Sequence, residues 1–399
     1  MRKRIASTQL EPGMFLEELC GDWMQHPFWR TRFLIENEEQ VSKVIDAGIL
    51  EVVIDTRKGK SPETTRDRDL PPEKPLSSLP ASPYRHEPVS LSQELRQASR
   101  IVAKGKEAVV DMFQDARLGK AISTDRMAPL VEEISDSMLR NPSALVGLAR
   151  IKTADEYTYM HSVAVCALMV TLAREMGLNE DQVREAGLAG LLHDVGKVFV
   201  PGEILNKPGR LTEREFEAIK AHPDRGHQAL IEGGEATEVV LDVVRHHHEK
   251  IDGTGYPDGL KDEQISRYAR MGAICDVYDA VTSNRPYKQG WDPATAISRM
   301  AKWTDGHLDE TLFQHFVKAL GIYPTGSLVR LGSGRLAVVT EQNREQLLSP
   351  RVVVFYSTSA GTHLPPKALD LALPGTQESI KQREDPAKWG FENLERLWA

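Results

Sequence analysis

The amino-acid pattern predicts a mainly helical protein with a small α+β module at its amino terminus and a small β appendage near its carboxy terminus. Three observations lead to that class. Capping-box patterns stand ahead of apolar runs between residues 141 and 322 (Thr153 with Glu156, Asn179 with Gln182, Thr212 with Glu215), which marks helix starts. Short strand-like runs gather at the two ends: MFLEEL, RFLIE and LEVVID, then SLVRL, RLAVVT and RVVVFY. Between the first runs and the helices, seven prolines fall within Thr56–Pro88, the composition of an extended linker.

The elements follow in order. Residues 1–55 make the α+β module, with one helix expected from Asn37, its N-cap, to Ala47, stopped by Gly48. Residues 56–89 are the Pro-rich linker. Over 90–140, Leu91, Leu95, Ile101, Val102, Val109 and Met112, then Leu130, Ile134 and Met138, recur at helical spacing. Two amphipathic helices result, packing on the next domain or forming a homodimer hairpin. Residues 141–322 read as continuous helix, with Met160, Met169, Met176 and Met271 as core filling. A β subdomain spans 323–372, broken by GSG and NRE, and 373–399 is a polar, loosely held tail with one helix near Trp389 to Trp398.

Bulk properties narrow the function. A chain of 399 residues is too long for one compact core. Its net charge of -8 argues against a nucleic-acid polymer as partner, because phosphate contacts need clustered Lys and Arg. No stretch of about 18 apolar residues occurs, and the basic opening MRKRIASTQLEPG leads into no apolar segment, so a cytoplasmic protein without a membrane span is expected. Cys20, Cys166 and Cys275 are far apart, which fits a reducing compartment and leaves no cysteine-based zinc site.

Seven of the twelve histidines lie between His161 and His248, spread over separate segments and accompanied by aspartates. His161 is on the helix that Thr153 opens, His193 and Asp194 end the run AGLAGLL, and Asp276 interrupts the apolar string MGAICDVYDA, where an unpaired carboxylate would be expensive to bury. His, His-Asp and Asp on three helices supply enough N and O ligands for a divalent cation. Consecutive helical residues point about 100° apart. His247 and His248 can therefore both face one site only near a helix end, which the following IDGTGYP loop provides. In that loop Gly255 permits a tight turn, Pro257 fixes φ and Tyr256 offers an aromatic face.

The order His161, His193-Asp194, Asp276 resembles the HD superfamily of metal-dependent phosphohydrolases, and HHEKIDGTGYPDG is similar to the signature of its HD-GYP branch. The likeness runs over about residues 145–320 and takes in YTYMHSVAV, LLHDVGK, AHPDRG and DVYDAVTSNRPYK. It implies an all-helical HD-type bundle in which His161, His193, Asp194, His222, His247, His248 and Asp276 bind two divalent metal ions, with Asp194 as the bridge. Iron or manganese is favoured, with nickel and zinc open. It also implies hydrolysis of cyclic di-GMP to linear pGpG, and on to GMP as an open question, by water activated between the ions. Asp194 and Lys197 serve catalysis; Lys197, Arg285, Lys288 and Tyr256 bind substrate. Loss of this bacterial second messenger favours motility over biofilm.

Several points stay open at this level. A glutamate four residues before the first histidine holds a third ion in some members, and that position here is Tyr157. His227 and His246 read as surface or supporting residues, Asp279 as ligand, cap or support, and Glu249 as a hydrogen-bond acceptor for a histidine or a solvated side chain. The segment LEPGMFLEELCGDWMQHPFWRTRFLI resembles an uncharacterised domain that often precedes HD-GYP domains, with a regulatory role implied. Signalling proteins are expected to dock on the GYP loop or on this module. The alternatives are a phosphohydrolase for another cyclic dinucleotide or nucleotide, and a non-catalytic cyclic di-GMP receptor.

Overall fold

A computed structural model describes residues 2–6, 9–20, 33–35, 37–38, 40–41, 51–60, 89–150, 157–205, 207, 209–283, 290–343, 345–391 and 394–398. The chain divides into two units, Met1–Arg85 and His86–Ala399. In the first, β1 (Arg2–Ala6), β2 (Phe15–Cys20), β3 (Phe33–Leu34) and β4 (Glu51–Asp55) form an antiparallel sheet in the order β1-β4-β2-β3. Ile5, Leu10, Met14, Leu16, Ile35, Val41, Val52 and Ile54 make its core. Strand β1 was not foreseen, because its basic residues hide the alternation, as is usual at a sheet edge. Most of the helix expected from Asn37 to Ala47, together with Trp23, Phe28, Trp29 and nearly all of the Pro-rich segment, lies outside the described residues.

The second unit opens with α1 (Leu91–Arg117) and α2 (Ala128–Arg140), both amphipathic. Ile101, Val109 and Met112 of α1 and Leu130, Ile134 and Met138 of α2 are buried. A buried ion pair joins the two helices: Arg140 donates to both Glu94 carboxylate oxygens at 2.7 and 2.8 Å, and Ser137 Oγ to one of them at 2.7 Å. Next come α3 (Pro142–Arg150), α4 (Tyr157–Glu175) and α5 (Glu180–Leu192), then a 3-10 turn (Val195–Phe199) and α6 (Gly202–Leu205). They are followed by α7 (Glu213–Lys220), α8 (His222–Gly233), α9 (Glu238–His246), α10 (Arg267–Thr282), α11 (Pro293–Met300) and α12 (Glu310–Leu320). The capping boxes of α5 and α7 form as their sequences require: Asn179 Oδ1 accepts from Gln182 N–H at 2.9 Å, and Thr212 Oγ1 from Glu215 N–H at 3.3 Å. Thr153 and Glu156 lie outside the described residues.

Helix α4 is the centre of the bundle, packing on α5, α10, α1, α3 and α12. It is buried almost all round, from Val163 to Val170 and again at Leu172 and Ala173. That is why its sequence lacks a polar face. Cys166 and Cys275 are free thiols within this core.

The carboxy-terminal sheet runs β8-β7-β6-β5-β9, built from β5 (Leu328–Leu331), β6 (Arg335–Glu341), β7 (Arg351–Ser357), β8 (Thr362–Asp370) and β9 (Ile380–Arg383). Residues after Ala372, expected to be a loosely held tail with one helix near Trp389 to Trp398, supply β9, α13 (Pro386–Trp389), a 3-10 turn (Leu394–Leu397) and the buried Trp398. Trp398 is 7% exposed and its ring lies where a Cβ on Gly147 of α3 would be, 2.4 Å away. The tail reads as polar because charged and polar residues outnumber its apolar ones, most of which gather after Trp389. No helix of the described residues is long and apolar enough to cross a membrane.

Candidate metal centre

Seven side chains from five segments meet inside the helical bundle. His161 comes from α4, His193 caps the carboxy end of α5, Asp194 begins the 3-10 turn, His222 is the first residue of α8, and Asp276 lies on α10. Helix α9 ends at His246, with His247 as its C-cap and His248 beyond it, so both rings turn toward the cluster. Candidate ligand atoms fall into two groups, Asp194/His222/His247/His248 and His161/His193/Asp276, each with its atoms within 4.8 Å of one another. Asp194 faces both. Its Oδ1 is 3.2 Å from His222 Nε2, and its Oδ2 is 3.4 Å from the Nε2 atoms of both His161 and His193.

Close backbone approach makes this possible. A Cβ on Gly196 would stand 1.9 Å from the His222 carbonyl oxygen, so only glycine lets the turn after Asp194 lie against the start of α8.

The opposite edge of each ring decides what the cluster can hold. His193 Nδ1 donates to the Gly190 carbonyl at 2.8 Å, His222 Nδ1 to Ile219 at 2.8 Å, and His247 Nδ1 to Val243 and Val244 at 3.0 and 3.1 Å. A carbonyl only accepts, so each Nδ1 keeps its proton and each Nε2 of a neutral ring presents a lone pair. Yet His222 and His247 bring their Nε2 atoms to 3.4 Å, and His161 and His193 theirs to 3.1 Å. Asp194 Oδ1, fully buried, has no hydrogen-bond partner among the described residues. Converging lone pairs and an orphaned buried carboxylate oxygen are costly unless a cation lies between them. The donor set therefore fits divalent metal.

Charge states agree with that fit. Burial would raise the carboxyls of Asp194 and Asp276, but the Lys197 ammonium and His193 beside the first, and His161 beside the second, hold both well below the usual carboxylate range. Burial, reinforced by neighbouring imidazoles, keeps His247 well below its ordinary value and brings His248 down to about 3. His161 goes the other way: burial disfavours its charge, but Asp276 at 3.0 Å from Nε2 and Asp279 at 2.6 Å from Nδ1 outweigh burial. A metal at Nε2 would displace that proton.

Lys197, one-fifth exposed, extends its Nζ to 2.5 Å from Asp194 Oδ2. The Tyr256 ring lies 4.8 Å from that of His248. Burial and the carboxylates of Asp276 and Asp194 raise its phenol, which is therefore a neutral hydroxyl. Arg285 and Lys288 fall outside the described residues, and so does the side chain of Tyr157.

Three supporting residues have definite partners. Asp279, buried, accepts from His161 Nδ1. Glu249, equally buried, turns its carboxylate to the loop, accepting the backbone N–H groups of Asp258, Gly259 and Leu260 at 2.7, 3.0 and 3.1 Å. His246 bridges Asp242 (2.7 Å) and Asp258 (3.0 Å), and Arg245 also reaches Asp258. These bonds tie the GYP loop to α9. His227 belongs to neither ligand group.

Comparisons with known proteins place this geometry. Residues 134–312 match the HD domain model, and residues 2–127 match a domain of unknown function. A cyclic di-GMP phosphodiesterase of Pseudomonas aeruginosa is 51% identical over 406 aligned positions, covering 100% of this chain and 96% of the relative. The chain belongs to the HD-GYP family. A 3'3'-cGAMP-specific phosphodiesterase of Vibrio cholerae is 36% identical over 170 residues, 42% of this HD-GYP chain and 39% of that one. A solved HD-GYP-type protein of Bdellovibrio bacteriovorus is 16% identical, with a TM-score of 0.47 over 79% of this chain and 98% of that one.

Proposed function

We propose that this chain is a metal-dependent phosphodiesterase that opens cyclic di-GMP to linear pGpG. The observation that carries the reading is the convergence of imidazole Nε2 atoms on the buried Asp194 carboxylate, whose Oδ1 has no hydrogen-bond partner among the described residues, in a chain 51% identical over its length to a cyclic di-GMP phosphodiesterase. In this reading His161, His193 and Asp276 would hold one divalent ion and His222, His247 and His248 another, with Asp194 shared between the two groups. Five imidazoles and two carboxylates with no thiolate suit iron or manganese and accept nickel or zinc. Such ions supply an acidified water and a clamp on the phosphate oxygens.

The protein's own part is positional and electrostatic. Backbone carbonyls fix the imidazole tautomers, and Asp279 fixes His161. Lys197 adds a cation beside Asp194 for the anionic substrate, and the family resemblance assigns Arg285 and Lys288 to its phosphates. Tyr256, a neutral hydroxyl on an aromatic face, stacks on a base. Two ions, not three, are expected, because Tyr157 stands where a third would need a carboxylate.

Anaerobic purification with iron or manganese, metal analysis and product chromatography test this together. Two ions per chain and pGpG are expected, with His193→Ala and Asp194→Ala each lowering turnover at least about a hundredfold, more than the loss of an outer hydrogen-bond partner costs. Three ions per chain at full occupancy would overturn the two-ion assignment. No turnover of cyclic di-GMP under any divalent metal would defeat the activity itself.

A further inference from the structure

Relatives of this chain differ in the base they are named for: cyclic di-GMP for one at 51% identity, 3'3'-cGAMP for another at 36%. Metal ions act on phosphate and leave the base unread. Discrimination therefore belongs to side chains beyond the His/Asp cluster.

Three such side chains form a strip leading outward from His248. The Tyr256 ring is 4.8 Å from the His248 ring and tilted 30° to it. Lys220, the last residue of α7 and two before His222, sets its Nζ 5.9 Å from the centre of the Tyr256 ring and 5.0 Å from that of Phe216. Phe216 is 45% exposed. Glu217 accepts from Lys220 Nζ at 2.8 Å and is itself two-thirds exposed, so water screens that pair and a ligand can replace it at little cost.

Two aromatic faces with an ammonium between them, at the mouth of a phosphodiesterase centre, have the chemistry of a purine site. Aromatic rings stack on any base. The ammonium is selective, because it only donates hydrogen bonds. Guanine offers two adjacent acceptors, O6 and N7, whereas adenine pairs its N7 with an amino donor that would oppose the ammonium.

We propose that Phe216, Lys220 and Tyr256 form a guanine subsite, with Lys220 as its specificity-determining residue. The proposal rests on the phosphodiesterase reading for its substrate class. Lys220 reads the O6/N7 edge, while Phe216 and Tyr256 hold the ring plane, so that the phosphodiester beside that guanosine lies over the His/Asp cluster.

The test compares wild type, K220M and F216A on cyclic di-GMP, cyclic di-AMP and bis(p-nitrophenyl) phosphate, the last of which carries no base. For K220M, kcat/KM on cyclic di-GMP falls about tenfold, mainly through KM, which is the scale of one lost base-edge contact. Its loss on bis(p-nitrophenyl) phosphate is several-fold smaller, and its preference for cyclic di-GMP over cyclic di-AMP narrows. F216A weakens both dinucleotides alike, as loss of stacking should. An equal loss on all three substrates in K220M would assign Lys220 to the metal centre or to folding and overturn the subsite. No change on any substrate would reduce it to a surface ion pair with Glu217. Calorimetric binding of cyclic di-GMP separates the two readings: Lys220-dependent affinity without hydrolysis keeps the subsite and defeats the phosphodiesterase.

Discussion

Four of the five rings of the cluster are aimed by the nitrogen that does not face the cluster. Those of His193, His222 and His247 turn it to backbone carbonyls and that of His161 to Asp279. Replacing Asp279 with Ala should therefore lower metal affinity by about ten- to a hundredfold, through loss of the bond that orients His161. Competition with a chelating indicator measures it, and an unchanged affinity would show that packing alone holds the ring. A second prediction concerns pH. The folded chain keeps His247 neutral well below its ordinary value near 6.5, so in the chelated protein it takes up a proton on unfolding as pH falls through about 6.5. Its contribution to stability is thus lost on acidification, and His247→Asn should show a smaller fall in Tm between pH 7.5 and 5.5 than wild type. His161, whose shift is opposite in sign, is present in both proteins and drops out of the difference. The histidines could be found in the sequence because they stand in separate apolar segments beside aspartates. Their carbonyl partners could not, since a backbone acceptor leaves no mark in the residue code.

At the scale of elements, one carboxylate answers three amides of the GYP loop. Glu249→Ala would leave three amide donors without their acceptor, at a cost of at least about 2 kcal/mol even if water reaches some of them. Amide exchange at Asp258, Gly259 and Leu260 should quicken more than elsewhere in the second unit. A uniform change would mean that Glu249 matters only to global stability. Gly196→Ala should be more damaging to the site than to the bundle, because its Cβ collides with the His222 carbonyl and separates Asp194 from its neighbours. Metal content falling further than helicity by circular dichroism is the expected signature. Helix starts were legible wherever a side chain caps them, as at Asn179 and Thr212. Strands were legible in the sheet interiors and, apart from β3 within RFLIE, missed at the edges. β1, β8 and β9 are all edge strands, and they carry Arg2, Lys3 and Arg4, Pro365 and Pro366, and Lys381 and Arg383. Charge and proline at an edge prevent unwanted pairing and also erase the alternation that reveals a strand.

Across the whole chain, the resemblance in residues 145–320 was legible because its motifs are local, while the extent of the carboxy-terminal sheet was not. Its last strand pairs with β5 across a separation of about fifty residues, and no local pattern announces such a pairing. The sheet also rests on the helices: Leu328 N–H donates to Asp292 of the α11 cap at 3.1 Å, and Arg383 to the Ala294 carbonyl at 3.2 Å. Trp398→Ala should then cost about 3 kcal/mol, the lower end for a buried aromatic truncated to alanine. Denaturant unfolding checks it, and a change under 0.5 kcal/mol would mean the ring is dispensable.

The hydrogen bonds of the GYP loop have one more consequence. Glu249 accepts from Asp258, Gly259 and Leu260, Tyr256 N–H donates to the His248 carbonyl, Gly253 N–H to Lys250, and Arg245 and His246 clasp Asp258. These bonds close within the stretch, while Ile251 and Asp252 donate outward to His307 and Gly306, and His246 and His247 to Asp242, Val243 and Val244 at the end of α9. Such a segment is a portable cassette. Grafted as a block from Arg245 to Asp262 onto the end of a helix in another scaffold, it would carry its own shape with it, and it would tolerate wholesale transfer far better than piecemeal change.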